Sequence, residues 1–412
     1  MKRVLLIAYH FPPISNIGSL RPYRFAMYLP DYGWEVTVVT VGNDSYYPRD
    51  ASLDLKKLGR TRIRYANRFP LNQLRDRIGR HIFGKKQLLY SYLDTFYDWY
   101  PLAKSVAIDE LTRMKYDAIL ATVPPYTSLR VARAISKKTG IPSIADLRDP
   151  FTQNRYIEMP SKFHRKYYEN YEKNLLNSFN HITVAWPMIA HWNSKALGID
   201  KDKFTVITNG YEPDDFKNRY NRPAPTSTFT MGYFGSIYGL RTVDPFFKVY
   251  GLALQTNPEF KEMSQVIFSG AFDRQMVRRT ARKVRALDNL NILEYRSRRE
   301  TLDWMSKCHA LLLFTGMVTE NYPGKLFDYI ASNRPILNLS KPSPLTKLIG
   351  DLGIGANVDA DKPEEAVNVL LDWFEKFKQG EKIIKPKPED IKRFDGKILT
   401  GKMANILDSI AK

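Results

Sequence analysis

The chain has 412 residues, 43% of them hydrophobic, and its 63 basic against 43 acidic residues give a formal charge of +20. This length exceeds what a single hydrophobic core usually supports, and the apolar content excludes a disordered chain, so the sequence predicts two globular domains. The single cysteine excludes a fold held by internal disulfides. The basic charge favours a polyanionic partner, whether nucleic acid, an anionic membrane surface or a phosphorylated substrate.

The first half of the chain alternates short Val/Ile-rich runs with longer amphipathic stretches, which is typical of a parallel sheet with crossover helices. The first apolar run is predicted to be a strand and not part of a signal peptide, because it ends at His10-Phe-Pro-Pro without a cleavage site. Strands are predicted at residues 4–8, 35–41, 62–65, 117–122, 142–146, 181–184 and 204–207. Helices are predicted at residues 20–29, 126–138 and 162–177.

A second alternating series follows a short polar segment with prolines, which we interpret as a linker. Its strands are predicted at residues 229–234, 265–268, 290–293, 310–314 and 335–339, with helices at 246–254 and 274–285. The predicted organisation is an α/β chain with two Rossmann-like doubly wound domains, at 1–218 and 229–387, joined by a linker at 219–228. A helical segment at 388–412, broken near Gly401, can pack back on the first domain. No apolar run approaches the ~20 residues that span a bilayer.

Residues just after predicted strands are the first candidates for a site, because parallel sheets bind ligands beyond the carboxyl ends of their strands. Gly18, between the first strand and a helix, would let an anionic group approach the backbone; a simple turn glycine is the alternative. The Gly-x-Gly-x-x-Gly fingerprint of nicotinamide sites is missing. Asp146, Arg148 and Asp149 place two carboxylates around a guanidinium, either to position hydroxyls or as a structural salt-bridged knot.

Gly235 and Arg241 follow the first predicted strand of the second domain. Gly235 loosens the loop, and Arg241 stands at the start of a helix. This arrangement suits a diphosphate, although an arginine at a helix start is often merely exposed.

A polar segment after the predicted strand at 310–314 leads into a helix that begins near Pro323-Gly324. Glu320 would precede this helix and Asp328 would lie inside it. The two acids would then hold different parts of one extended ligand. A solvated pair of acids on an ordinary helix is the alternative.

Taken in order along the chain, these motifs resemble glycosyltransferase family 4, a large group of retaining transferases with the GT-B fold. The resemblance rests on the loop ending in Gly18, Asp-Leu-Arg-Asp at 146–149, Ile-Thr-Asn-Gly-Tyr at 207–211, Tyr-Phe-Gly-Ser at 233–236, and residues 320–335. The last segment is similar to the family's Glu-x7-Glu motif, with Asp328 in place of the second glutamate. The resemblance implies two Rossmann-like domains that face a central cleft, and a nucleotide-sugar donor.

The resemblance also implies roles for single residues. Glu320 would meet the donor sugar, Asp328 the ribose, and Arg241 the diphosphate, where its charge helps the leaving group depart, so that no metal is required. Asp149 joins Glu320 and Arg241 as a candidate catalytic residue. The implied donor-binding residues are Gly18, Gly235, Arg241, Glu320, Asn321, Tyr322, Gly324, Lys325, Leu326 and Asp328.

The sequence departs from the family in two further respects. Members often use a histidine of the first domain near the sugar, and no counterpart is evident among His10, His164, His181 and His191. The family's front-face mechanism, in which the departing diphosphate accepts the acceptor's proton, makes a missing general base tolerable. The second departure is that the usual arginine-then-lysine pair of the second domain is reduced to Arg241.

Residues 61–100 interleave basic with aromatic side chains, which suits either a membrane interface or an ordinary insertion packed on the domain. We favour the membrane, because the acceptor of many such transferases is a lipid-linked glycan. A second basic cluster at 274–285 is typical of a solvated helix face.

The sequence thus predicts a cytoplasmic enzyme, peripheral on the inner face of the cell membrane, that transfers a sugar with retention from a nucleotide-diphosphate donor to a lipid-linked glycan of surface polysaccharide. A nucleic-acid-binding protein is one alternative, although the sequence shows no zinc spacing, RNA-binding signature or basic zipper. A non-catalytic GT-B scaffold is the other.

Overall fold

The chain divides into two compact units, one formed by Met1–Asn209 with Gly396–Lys412 and the other by Gly210–Asp395. The computed structural model describes residues 1–14, 17–42, 53, 55–68, 96–154, 157, 159, 161–217, 227–237, 242–294, 296–314 and 321–411.

A parallel sheet forms the centre of the first unit. Its strands are β1 (Lys2–Ile7), β2 (Trp34–Val41), β3 (Arg62–Ala66), β4 (Ala118–Val123), β5 (Ser143–Leu147), β6 (His181–Val184) and β7 (Phe204–Val206). Their order in the sheet is β3-β2-β1-β4-β5-β6-β7. Val4 of β1 pairs with Val36 on one side and Ala118 on the other. The order therefore reverses between β1 and β4, and an open sheet of this kind has its ligand crevice beyond that point.

Helices form the crossovers of the first unit. They are α1 (Ile17–Tyr28), α2 (Tyr100–Arg113), α3 (Thr127–Thr139), α4 (Lys162–Asn177) and α5 (Pro187–Leu197). Ser161 is the N-cap of α4, since its side chain accepts a hydrogen bond from the amide of His164. The buried residues of α3 recur with helical spacing on one side, including Leu129, Ala132 and Ile135.

The second unit repeats the same architecture. Its strands are β8 (Phe229–Phe234), β9 (Ser264–Ser269), β10 (Leu290–Ile292), β11 (Ala310–Phe314), β12 (Ile336–Leu339) and β13 (Gly355–Val358). They are parallel and lie in the order β10-β9-β8-β11-β12-β13. The reversal falls between β8 and β11, and these two strands carry the candidate motifs of this half of the chain.

The helices of the second unit are α6 (Asp244–Thr256), α7 (Pro258–Met263), α8 (Arg274–Lys283), α9 (Arg298–Ser306), α10 (Lys325–Ala331), α11 (Pro344–Asp351), α12 (Pro363–Lys378) and α13 (Pro388–Lys392). Aromatic side chains dominate the core beneath them: Phe246 of α6 stacks on Tyr250 with ring centroids 5.6 Å apart and packs on Phe314 of β11 at 5.5 Å. The two sheets and their connections agree with the predicted pair of Rossmann-like domains.

The last helix, α14 (Gly396–Ile410), returns to the first unit. Leu399, Met403 and Leu407 are buried in the same core as Val4 and Leu6 of β1. The helix runs without interruption through Gly401, so the predicted break there is wrong. Burial of one apolar face in a folded core stabilises a helix across a residue of low helical propensity.

The unit boundaries differ from the sequence-based ones. The first unit ends at Asn209 and not at residue 218, since the amide of Tyr211 donates to the carbonyl of Phe394 at 3.0 Å and Phe216 packs in the second unit. The segment 388–412 is split, with α13 in the second unit and α14 in the first. Most of the predicted linker at 219–228 lies outside the described residues.

Most predicted strands match the structure to within one or two residues, whereas β13 was not predicted. Only Val358 is fully buried in β13, so the strand lacks the continuous apolar run by which the others are found. Within the described ranges, no helix combines the length and the apolar character needed to cross a bilayer.

Leu407→Ala should lower the free energy of unfolding of the first unit by about 3 kcal/mol, because Leu407 is fully buried and its removal leaves a cavity. Urea unfolding followed by circular dichroism measures the loss. Asn405→Ala, at an exposed position of the same helix, is the control and should stay within about 0.5 kcal/mol of the parent. Equal losses for the two variants would contradict the packing of α14 described above.

Candidate active site

The predicted site residues lie at the carboxyl edges of the two sheets. In the first unit, Gly18 follows β1 and residues 146–149 close β5. In the second unit, Gly235 follows β8 and residues 321–328 follow β11. Because β1 and β8 each border the reversal of their sheet, both glycines lie where an open α/β sheet binds its ligand.

Asp146 and Arg21 form a buried ion pair in the first unit. Arg21 donates from Nε and Nη2 to the two carboxylate oxygens at 2.8 and 2.7 Å, and the hydroxyls of Thr122 and Thr183 donate to the same oxygens at 2.8 and 2.6 Å. Burial alone would raise the pKa of Asp146, but the charge and hydrogen bonds of Arg21, with those of the threonines, lower it. Since Arg21 also donates to the carbonyl of Thr208 at 2.8 Å, the pair joins α1, β5 and the end of the unit.

Arg148 lies beside Gly18. The sequence interpretation placed Asp146 around the guanidinium of Arg148, but Arg21 takes that position. Arg148 donates instead to the carbonyls of Val123 and Pro124 at 2.6 and 2.7 Å, and to the carbonyl of Gly18. A Cβ on residue 18 would lie 2.5 Å from Arg148 Nη1, so glycine is needed there to admit the guanidinium. The contact of Gly18 with a donor stays a prediction.

Asp149 is exposed, and the loop that carries it is fixed by hydrogen bonds to the side chain of Glu172. Glu172 accepts hydrogen bonds from the amide of Thr152 at 3.0 Å and from the hydroxyl of Tyr126 at 3.2 Å, and the same hydroxyl lies 3.3 Å from the carbonyl of Asp149. Burial raises the pKa of Glu172, although the bonds from Thr152 and Tyr126 oppose this. Asp149 therefore stands on a firmly anchored loop at the carboxyl edge of the first sheet.

His10 lies at the same edge, just after β1, with 4% of its surface exposed. Its ring meets those of Tyr9 and Phe96 edge-on, with centroids 5.2 and 6.1 Å apart. Burial, and then the charge of Arg148, lower the pKa of His10 from 6.5 to about 3. The imidazole is therefore neutral in the folded protein at physiological pH.

The depressed pKa of His10 should make the first unit acid-sensitive. In the unfolded chain His10 binds a proton below pH ~6.5, whereas in the folded chain it does so only near pH 3, so stability is lost as the pH falls through this window. Between pH 7 and pH 5 the loss due to His10 should be about 2 kcal/mol. Urea unfolding at the two pH values measures it.

His10→Gln should remove this part of the pH dependence. His191→Gln, at an exposed histidine of α5, is the matched control and should lose as much stability on acidification as the parent. If His10→Gln and the parent showed the same pH dependence, the neutral buried imidazole would be refuted.

Gly235 and Lys325 meet where β8 ends. Gly235 has φ of +139°, a conformation that side-chain-bearing residues rarely adopt, and a Cβ there would lie 2.5 Å from Lys325 Nζ. Lys325 is the first residue of α10, and its Nζ lies 3.7 Å from the centroid of the Tyr233 ring. Tyr233 in turn stacks on Phe314 at 4.8 Å and donates its hydroxyl to the carbonyl of Ser236 at 2.9 Å. A held ammonium group beside a bare glycine turn suits a phosphate group.

Asp328 is paired with an arginine that the sequence interpretation did not identify. Arg298 donates from Nη1 and Nη2 to the two oxygens of Asp328 at 3.0 and 2.9 Å, and from Nε and Nη2 to Asp215 at 3.1 and 2.9 Å. Burial alone would lower the pKa of Arg298, but the charges and hydrogen bonds of Asp328 and then Asp215 outweigh burial and raise it. Each oxygen of Asp328 keeps acceptor capacity beyond its bond to Arg298.

The turn before α10 holds most of the other donor-binding candidates. Asn321 and Tyr322 are half-buried, and burial raises the pKa of Tyr322. Gly324 already has helical dihedrals, φ −56° and ψ −34°. Leu326 is fully buried, and its amide donates to the carbonyl of Pro323 at 2.9 Å, so its main contribution is to the core. Glu320 and Arg241, two of the three candidate catalytic residues, lie outside the described residues.

Arg298→Gln should lower the free energy of unfolding of the second unit by about 3 kcal/mol, because it leaves two neighbouring carboxylates without their cation. The side chains involved are well covered: 17% of Arg298 and 12% of Asp328 is exposed. Arg299→Gln changes the next residue of the same helix, which is exposed, and should cost no more than about 0.5 kcal/mol. Denaturant unfolding compares the two, and similar losses would argue against a stabilising pair.

Sequence patterns did not point to Arg21, Arg298 or Asp215, because their partners are distant along the chain. Arg21 and Asp146 are separated by 125 positions, and Arg298 and Asp215 by 83. One local signal was available for Arg298. Ser297 and Glu300 form a capping box, a Ser-x-x-Glu pattern that marks a helix start and so places Arg298 in its first turn.

Comparison with known proteins gives a match to the Glycosyltransferase Family 4 model over residues 22–215. No curated protein sequence matches the chain. Among solved structures, sucrose-phosphate synthase from Thermosynechococcus elongatus is 12% identical with a TM-score of 0.69, covering 100% of this chain and 99% of that one. HepE from Anabaena in complex with UDP is 15% identical with a TM-score of 0.68, covering 99% and 100%. WaaG, a glycosyltransferase involved in lipopolysaccharide biosynthesis, is 13% identical with a TM-score of 0.62, covering 98% and 99%.

At such identities the solved structures establish the fold, which is the GT-B fold, and the family match establishes the class. The chain is a glycosyltransferase of the GT-B type. More narrowly, residues 22–215 match the Glycosyltransferase Family 4 model, in agreement with the family resemblance found in the motifs.

Proposed function

We propose that the protein transfers a sugar, with retention of configuration, from a nucleoside-diphosphate donor to a lipid-linked glycan in the biosynthesis of a surface polysaccharide. The observation that carries the proposal is the meeting of Gly235 and Lys325 at the strand-order reversal of the second sheet. An ammonium group held beside the backbone of a glycine suits the binding of a diphosphate.

The donor is proposed to lie along the segment 320–328. Lys325 and Arg241 would balance the charge of the diphosphate, so that no metal is proposed. Asp328 would accept a hydrogen bond from a ribose hydroxyl, with its carboxylate oriented by the two hydrogen bonds from Arg298. HepE is similar in fold and is seen with UDP and with UDP-glucose, so a uridine diphosphate sugar is the first donor to test.

The proposed chemistry needs no general base from the protein. The bond between the anomeric carbon and the diphosphate oxygen breaks, the acceptor oxygen bonds to the same face of the anomeric carbon, and the acceptor's proton passes to the departing diphosphate. Glu320 would hold the sugar, and Asp149 would help to orient the acceptor from the anchored loop of the first unit. Positive side chains near the diphosphate stabilise the charge that develops as it leaves.

A lipid-linked acceptor is proposed from the strongly basic chain and from the basic and aromatic residues at 61–100. An excess of 20 positive charges favours an enzyme that works against an anionic surface. Most of residues 61–100 lie outside the described residues, so this segment supports the proposal through its composition only.

Lys325→Met should weaken the binding of UDP by about tenfold to a hundredfold, the usual worth of a hydrogen bond between charged groups, while the methionine stem keeps the packing on Tyr233. Isothermal titration calorimetry measures the affinity. Glu320→Gln should leave UDP binding intact and lower the rate of sugar transfer, because its proposed contact is with the sugar.

Lys347→Met makes the same change at a lysine of α11 whose side chain is 76% exposed, and should bind UDP as the parent does. Parent protein that bound no nucleoside diphosphate or nucleotide sugar would overturn the proposal. Binding without any donor hydrolysis or transfer would identify a non-catalytic scaffold instead.

A further inference from the structure

Helix α4 carries two large aromatic side chains on its solvent-facing side. Phe163 is 78% exposed and Tyr167 is 57% exposed. They lie four positions apart, so they are neighbours on one face of the helix, together with Lys166 and Asn170. The other large exposed apolar residues of the described chain, Met1, Tyr32, Leu55, Tyr65 and Val206, form no such pair on one helix.

The fold of the unit does not require these aromatics. The buried residues of α4 are Tyr168, Glu172, Leu175 and Leu176, which lie on the opposite side of the helix. Tyr168 packs edge-on against Phe151 with centroids 5.6 Å apart, and Glu172 holds the loop that follows β5. The helix thus carries aromatic side chains on two faces, and the described residues of its own unit cover only one of them.

Positive side chains lie on α4 beside the exposed pair and on the neighbouring α3. Lys162 and Lys166 are exposed on α4 itself. Arg130 and Arg133 lie on α3, which contacts α4, and both are half-buried; the guanidinium of Arg130 lies 4.9 Å from the centroid of the Tyr100 ring. Helix α3 contains four basic residues and no acidic one. The acids of α4 point elsewhere: Glu172 is fully buried, and Glu169 is half-buried within 3.4 Å of Gln153.

We propose that this aromatic-cationic face, formed by Phe163, Tyr167, Lys162, Lys166, Arg130 and Arg133, docks on the surface of an anionic lipid bilayer. Aromatic rings enter the boundary between headgroups and acyl chains, while lysine and arginine meet anionic headgroups around them. The positive charge of this face complements the negative charge of the headgroups, and we therefore assign an anionic bilayer as its partner. A face that bound nucleic acid would instead use its aromatics to stack bases within a groove, and these rings project from a convex helix.

The inference deepens the proposed function, since it gives an enzyme with a lipid-linked acceptor a surface by which to reach it. It adds a membrane contact at α3 and α4 to the segment 61–100 that the sequence favours. Its test uses no donor and no acceptor. The docking surface and the transfer reaction can therefore fail separately.

The test is co-sedimentation of the full-length protein with vesicles of phosphatidylcholine alone or mixed with phosphatidylglycerol. The parent should bind the mixed vesicles, bind neutral vesicles weakly, and lose affinity as sodium chloride is added. Phe163→Ser with Tyr167→Ser should weaken binding to mixed vesicles by about tenfold, through loss of buried apolar surface. Lys162→Glu with Lys166→Glu should weaken it by at least about tenfold, through loss of attraction.

Two control variants separate the face from the general charge of the chain. Arg278→Glu with Arg282→Glu makes the same change in net charge, at the same spacing, on exposed positions of α8 in the second unit. Tyr65→Ser removes an aromatic ring that is 51% exposed on β3. Both should bind mixed vesicles within about twofold of the parent. Circular dichroism and urea unfolding confirm that each variant is folded.

Three results would overturn the proposal. The first is a parent that does not sediment with mixed vesicles. The second is an equal loss of binding for the α4 and α8 charge pairs, which would show attraction by net charge alone. The third is vesicle binding by the serine pair at the level of the parent, with its retention on single-stranded RNA lost instead, which would make the face a nucleic-acid surface. Vesicle binding through α4 in a protein that binds no nucleotide would retain the docking surface and reject the proposed donor.

Discussion

In both units every strand of the sheet runs parallel to its neighbours, so each strand has to be followed by a crossover and all carboxyl ends lie along one edge. This constraint places the polar loops of each unit together. The order of the strands adds a second constraint, because it reverses at β1/β4 and at β8/β11 and leaves a crevice at those points. Gly18 and Gly235 follow the first strand on one side of each reversal.

Buried arginines then fix the loops that the topology brings together. In the first unit, Arg21 forms an ion pair with Asp146. Arg148 donates hydrogen bonds to backbone carbonyls of two segments. In the second unit, Arg298 joins Asp215 and Asp328. A buried guanidinium is stable only where acceptors surround it, so each of these residues specifies the positions of its partners closely. In the first unit, the charge and hydrogen bonds of Arg21 outweigh burial and lower the pKa of Asp146.

The excess of basic residues therefore has more than one physical role. Arg21, Arg148 and Arg298 are covered by protein and stabilise the two edges. Lys325 is held against Tyr233, where its charge lies beside the glycine turn. Other basic residues, including those of α3, α4 and α8, lie at the surface. Net charge alone does not distinguish the buried basic residues from the exposed ones, because it counts both equally.

Local patterns along the chain predict the two Rossmann-like domains, most of the strands and the resemblance to glycosyltransferase family 4. Those features depend on local apolar periodicity and on short motifs at strand ends, which are visible in consecutive residues. Tertiary structure alone decided which side chains meet. Arg21 reaches Asp146 across 125 positions, α14 crosses back into the first unit, and β13 is half-exposed and carries no apolar run. Likewise, Phe163 and Tyr168 are both aromatic residues of α4, and only the packing of the helix shows that one is solvent-facing and the other buried. Such pairings depend on chain folding in three dimensions, and a single sequence holds no local signal for them.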